Sequence, residues 1–141
     1  MTRTANAHWH GNLMEGTGEL STQSAVLSNT QYSFKTRFAD GNGTNPEELL
    51  AAAHAGCFSM ALSGQLGAAG MTAQSIDTTA TLTLDKTDAG FSITAIHLDV
   101  KAKIPGADQA KFDEAAQNAE KGCPVSRVLK ATITMTAQLV S

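Results

Sequence analysis

Charge and aromatic residues are scarce in this chain: Asp, Glu, Lys and Arg make up 16% of it, and Phe, Trp and Tyr 5%. The formal net charge is −3, and no stretch concentrates Lys and Arg. A nucleic-acid surface is therefore not expected, because displacing phosphate counterions takes a basic stripe. No run approaches the roughly 18 uninterrupted apolar residues of a membrane span, so no membrane partner is expected either. Met1–His10 is polar and lacks the apolar centre of a secretory signal, which predicts a soluble, cytoplasmic protein. Cysteine is equally scarce, with two residues, Cys57 and Cys123. A secreted disulfide scaffold would carry more of them. In a reducing compartment, a lone pair is buried and inert, part of a metal ligand set, or redox-active.

What is there is apolar enough to fold, with 42% hydrophobic residues in 141. The size predicts a single domain over residues 1–141. Alternation places a strand from Ala5 to Leu13 and a second near Glu19–Ser24, joined by a turn at Glu15–Gly18. A third is expected where Tyr32, Phe34 and Phe38 fall on even positions, with Arg37 near its end. After the break at Asp40-Gly41-Asn42-Gly43 comes a strong helix start. Asn45 can cap, Pro46 fits the first position, and Glu48 stands where a capping box needs it. That helix is expected to reach about Gly67, with Leu50, Ala53, Cys57, Met60 and Ala61 on a buried face. Ala80, Leu82 and Leu84 alternate with threonines in a further strand. The next carries Ile96, Leu98, Val100, Ala102 and Ile104. Asp108 caps a second main helix that stops near Gly122, Cys123-Pro124 opens a short one, and Ile133, Met135, Ala137 and Leu139 mark the last strand. The sum is an α+β domain of antiparallel sheets and two main helices. Its core is small for so much strand, which predicts a dimer.

Chemistry can rest on few residues. Cys57 lies some eleven residues inside its helix, beyond reach of that helix's dipole, so a reactive Cys57 needs a cation from elsewhere. Arg37 is the best candidate, and otherwise a solvated surface residue. Glu47 lies about 100° around the helix from Glu48 and could grip the Arg37 guanidinium. Glu48 is explained by capping alone. Cys123 reads as an N-cap, where free N–H groups favour a thiolate and make it a good leaving group. Both cysteines could equally be small structural residues. A zinc site is a further alternative, with His54 and Cys57 three apart on a helix, Cys123 as a third ligand, and His8 and His10 on one strand face. The paired spacing that makes such sites recognisable is absent, and no phosphate-binding loop or hydrolase motif is present.

Three segments carry a resemblance: Thr44-Asn45-Pro46-Glu47-Glu48-Leu49, Ala53-His54-Ala55-Gly56-Cys57-Phe58-Ser59-Met60-Ala61-Leu62 and Gly122-Cys123-Pro124-Val125-Ser126. They resemble the OsmC/Ohr family, and more narrowly its osmotically inducible OsmC branch. Ser33–Phe38, Ser75–Ala80 and Val128–Ala131 fit the same branch, so nearly the whole chain is covered. The resemblance implies an intertwined homodimer of OsmC-like fold with two sites at the subunit interface. It implies a thiol peroxidase that prefers organic hydroperoxides, uses no cofactor, and is recycled by an external dithiol of lipoyl type. By motif match Cys57 is the peroxidatic and Cys123 the resolving cysteine, and Arg37 and Glu47 are the charged pair around the reactive thiol. The Ohr branch takes its arginine from nearer the N-terminus, where Arg3 is the only rival here.

Overall fold

The computed structural model describes residues 1–141, which divide into two compact units, Met1–Leu49 and Leu50–Ser141. In the first, β1 (Ala5–His10), β2 (Thr17–Thr22) and β3 (Thr30–Tyr32) form an antiparallel meander. The first turn forms earlier than the Glu15–Gly18 pattern predicts. The Asn12 side-chain oxygen accepts from the N–H groups of both Met14 and Glu15, closing the chain before β2 begins at Thr17. This is an Asx turn, in which a side chain imitates a backbone acceptor. Trp9 on β1 and Tyr32 on β3 meet across β2, ring centroids 5.5 Å apart, over Gly18.

The expected third strand stops at Tyr32, and Phe34–Phe38 is a short helix, α1. Even spacing of aromatics suggests a strand here, but a local capping box overrides it. The Ser33 hydroxyl accepts from Thr36 N–H, while the Thr36 hydroxyl accepts from Ser33 N–H at 2.8 Å. Two otherwise orphaned donors are thus satisfied by two hydroxyls at the start of a five-residue helix.

Helix α2 (Pro46–Ala68) starts as its sequence predicts, with Asn45 Oδ1 accepting from Glu48 N–H at 2.8 Å. The return half of that box differs, because the Glu48 carboxylate accepts from the Thr44 hydroxyl instead, at 2.6 Å. The buried row is His54, Phe58, Leu62 and Leu66, spaced by four. The expected row of Leu50, Ala53, Cys57, Met60 and Ala61 is therefore one position off. Met60 is 80% exposed and Cys57 half-buried. Alanines and glycines on every side of this helix leave the apolar stripe ambiguous, and the large side chains decide which face packs. By length and composition α2 could cross a membrane. Here its large side chains instead enter the core with Ile96, Leu98 and Val100, and Ser59 donates to Thr78 at 2.8 Å.

In the second unit, β4 (Ser75–Thr87) pairs antiparallel with β5 (Gly90–Lys103). β6 (Thr132–Val140) pairs with β5 in parallel, so the sheet is mixed rather than wholly antiparallel. A parallel partner needs a long crossover, and the chain from Ile104 to Ala131 supplies one. It holds α3 (Gln109–Gly122), capped by Asp108 on Lys111 N–H, and α4 (Pro124–Val128). Alternation along β4, β6 and the second half of β5 puts one face into the core, with Thr79, Thr81, Thr134 and Thr136 among the residues on the other. His97 sits on that outer face between Thr134 and Thr136, at 2.7 and 3.3 Å.

Candidate active site

Two groupings hold the sequence-predicted residues, one in each unit. In the first unit Arg37, on the last turn of α1, meets Glu47, on the first turn of α2. Arg37 Nε donates to both Glu47 oxygens, at 2.9 and 3.2 Å, and Nη2 donates to Oε1 at 2.7 Å. The Asn45 amide fixes the approach by donating to the Thr36 carbonyl at 3.0 Å, next to Arg37 in the chain. The α1 capping box and the α2 cap thus hold the two ends of one ion pair. The guanidinium is 40% exposed and keeps one nitrogen free of Glu47, whereas the carboxylate is 13% exposed. Trp9, Leu13, Tyr32, Phe34 and Phe38 surround Arg37 around an apolar cavity of about 310 Å³. This cavity is not legible in the sequence, because the even spacing of Phe34 and Phe38 suggests a strand.

The second unit holds both cysteines as free thiols, Cys123 fully buried and Cys57 half-buried. Cys57 comes from the middle of α2 and Cys123 from the junction of α3 and α4, and their sulfurs interact directly. Burial pushes the Cys57 thiol above its ordinary range. The Val125 N–H opposes this and the neighbouring Cys123 reinforces it. Cys123 is also pushed up by burial, yet it ends below its ordinary range. The Ser126 N–H, Cys57, the Ser126 hydroxyl and the Val125 N–H together outweigh the desolvation. The two N–H groups do not reach the geometry of a formed capping bond on Cys123, so they act as oriented dipoles at the start of α4. The inequality expected of a mid-helix thiol and a helix-capping thiol is present. The two thiols are coupled, so their protons leave in two steps that belong to the pair.

His54, one turn before Cys57, does not join a metal site. No three His, Cys, Asp or Glu side chains converge anywhere in the chain, and His8 and His10 merely stack at 6.1 Å. Instead His54 Nε2 pairs with the Ser126 hydroxyl at 2.7 Å.

The chain as a whole has counterparts among known proteins. Residues 39–138 match the family model described as OsmC-like protein. Peroxiredoxin OsmC of Escherichia coli is 55% identical over 139 residues, covering 99% of this chain and 97% of the relative. The chain belongs to the OsmC family. It is accordingly an enzyme of the peroxidase, peroxiredoxin-type class. The organic hydroperoxide resistance protein of Xanthomonas axonopodis pv. citri is 31% identical over 106 residues, covering 72% of this chain and 70% of the relative. The fold agrees with that of a solved OsmC-like protein from Mycoplasma pneumoniae. The TM-score is 0.78 at 17% identity, over 100% of this chain and 99% of that one.

Proposed function

We propose that this OsmC-family enzyme reduces organic hydroperoxides, and hydrogen peroxide more weakly, through a Cys57 sulfenic acid and a Cys57–Cys123 disulfide. The observation that carries this reading is a pair of free thiols that act on one another, one half-exposed and one buried. The Cys57 thiolate attacks the distal peroxide oxygen, the O–O bond breaks, and alcohol or water leaves with a proton. The Cys123 thiolate then attacks the Cys57 sulfur, the S–O bond breaks, and water departs. An external dithiol, for which a lipoyl-type carrier is suited, restores both thiols by exchange.

Cys57 alone holds its proton too tightly for fast attack, so it needs a cation. Arg37, oriented by Glu47, is that cation. In an intertwined homodimer, a second copy of the chain would supply the pair to Cys57. The apolar cavity beside Arg37 would receive the organic part of the substrate, which fits an alkyl or aryl hydroperoxide better than bare H2O2. A cytoplasmic location and a role in oxidative and osmotic stress defence fit a thiol cycle that needs an external reductant.

The test is a thiol count. One equivalent of cumene hydroperoxide should remove both free thiols from the reduced protein within seconds. Cys57→Ser should leave Cys123 intact, and Cys123→Ser should leave a dimedone-reactive sulfenic acid at Cys57. Retention of both thiols in the parent protein would refute the cycle. Equal rate constants for H2O2 and cumene hydroperoxide would refute the substrate preference alone.

A further inference from the structure

His54 has no place in the cycle above, yet it is one of the most deeply buried side chains in the protein, 0% exposed. Its Nε2 lies 2.7 Å from the Ser126 hydroxyl, and its Nδ1 has no partner. Ser126 is itself buried, and both its N–H and its hydroxyl act on Cys123. Two helices and a junction thus meet through Ser126: His54 on α2 contacts Ser126 on α4, and Ser126 acts on Cys123 at the α3–α4 junction.

The unpartnered nitrogen fixes the polarity of this connection. A buried N–H donor without an acceptor is costly, whereas a bare lone pair costs less. The imidazole is therefore neutral with its proton on Nε2, which donates to Ser126 Oγ. The hydroxyl has one hydrogen, and with its oxygen occupied by His54 that hydrogen is left for the Cys123 sulfur. Burial pushes the imidazole below its ordinary range, in keeping with the neutral form. Glu120 on α3, the charged side chain acting on it, pulls the other way and does not prevail.

We propose that His54 is a positioning residue for Cys123, acting through Ser126, so that Cys123 is the sulfur expelled when the Cys57–Cys123 disulfide is opened. This rests on the reading of Cys123 as the resolving thiol. The first thiolate of the reducing dithiol attacks the Cys57 sulfur, which is the more exposed of the two. An S–S bond forms to the reductant, the Cys57–Cys123 bond breaks, and its electron pair goes to Cys123, received by the Ser126 hydroxyl. The reductant's second thiol then displaces Cys57, so the dithiol is oxidised to its disulfide and its two protons end on the two cysteines.

The test needs no peroxide, so its outcome is separate from that of the peroxidase assay. In a Cys57→Ser background, ultraviolet thiolate absorbance against pH reports Cys123 alone. Ser126→Ala and His54→Leu should each raise the titration midpoint by about one pH unit, a tenfold loss of thiolate at lower pH. The double variant should add little more, since both remove the same hydrogen bond. His54→Gln, which keeps an N–H near the Nε2 position, should restore most of the shift. An unchanged midpoint in folded Ser126→Ala, or Gln as damaging as Leu, would overturn the proposal. A second readout fixes the direction of opening. A monothiol added to the oxidised protein should be trapped as a mixed disulfide on Cys57, and trapping on Cys123 would also overturn it.

Discussion

Arg37 and Glu47 bind each other through three contacts of 2.7 to 3.2 Å, although neither residue lies in the core. Such a pair adds little to stability, because an exposed guanidinium is well screened by water. Its value lies in orientation, since a guanidinium gripped at Nε and Nη2 has a fixed plane.

Replacing Arg37 should therefore separate activity from folding. Arg37→Met is expected to lower the rate of Cys57 oxidation by cumene hydroperoxide about 100-fold, the scale for removing one preorganised charge donor. Arg37→Lys should recover little of this, because an ammonium cannot be held in a plane by Glu47. Glu47→Gln should fall between the two. Stopped-flow oxidation measures the effect, and thermal melts should coincide with the parent. A rate for Arg37→Met within twofold of the parent would remove Arg37 from the chemistry.

Much of this site was legible in the sequence. The Asn45-Pro46 helix start is written in local signals that the structure preserves, and the Arg37–Glu47 contact that the sequence suggests is formed. Cap signals are legible because they are satisfied within four residues. What was not legible depended on tertiary choice. The α2 stripe could not be placed when alanine and glycine occupy most faces, and packing of Phe58, Leu62 and Leu66 selected it. Phe34 and Phe38 alternate like strand residues, yet Ser33 and Thr36 close a capping box around them. The parallel pairing of β5 and β6 lies 30 or more residues apart in the chain, where periodicity carries no information on direction. In the sequence His54 stands out only by its spacing from Cys57, but Ser126, 72 residues away, is what gives it a partner.

Gly18 offers a test of the first unit on its own. A Cβ there would lie 2.4 Å from Tyr32 Cε1 and 2.7 Å from Trp9 Cε3, closer than real contacts allow. Glycine is therefore needed for the two rings to meet across β2. Gly18→Ala should push them apart and cost about 1–3 kcal/mol, the usual scale of overpacking. Trp9 is the sole tryptophan, so its emission should shift to the red in the variant before any unfolding. Denaturant melts followed by that emission measure the loss. An unchanged midpoint and spectrum would mean that the Trp9–Tyr32 contact is not held as described.

The neutral state of His54 should be visible in acid. Its folded pKa lies below the ordinary value of a histidine, with burial as the leading cause and Glu120 opposing. Below about pH 6.5 the unfolded chain binds a proton that the folded chain refuses. The stability contributed by the neutral imidazole is thus present above that pH and is lost as pH falls through the lowered folded value. Carboxylates elsewhere also weaken the fold in acid, so the informative quantity is the difference between parent and His54→Gln. Glutamine carries no titratable proton, so its variant lacks this term. Urea melts from about pH 7.5 down to 5 should show the parent losing stability faster than the variant, closing the gap between them. A gap that stays constant across that window would mean that the imidazole is water-reached and titrates in the folded protein as it does unfolded, and a gap that widens toward acid would mean that it is charged in the fold. Its proton would then not be confined to Nε2, and the line from His54 through Ser126 to Cys123 would lose its fixed polarity.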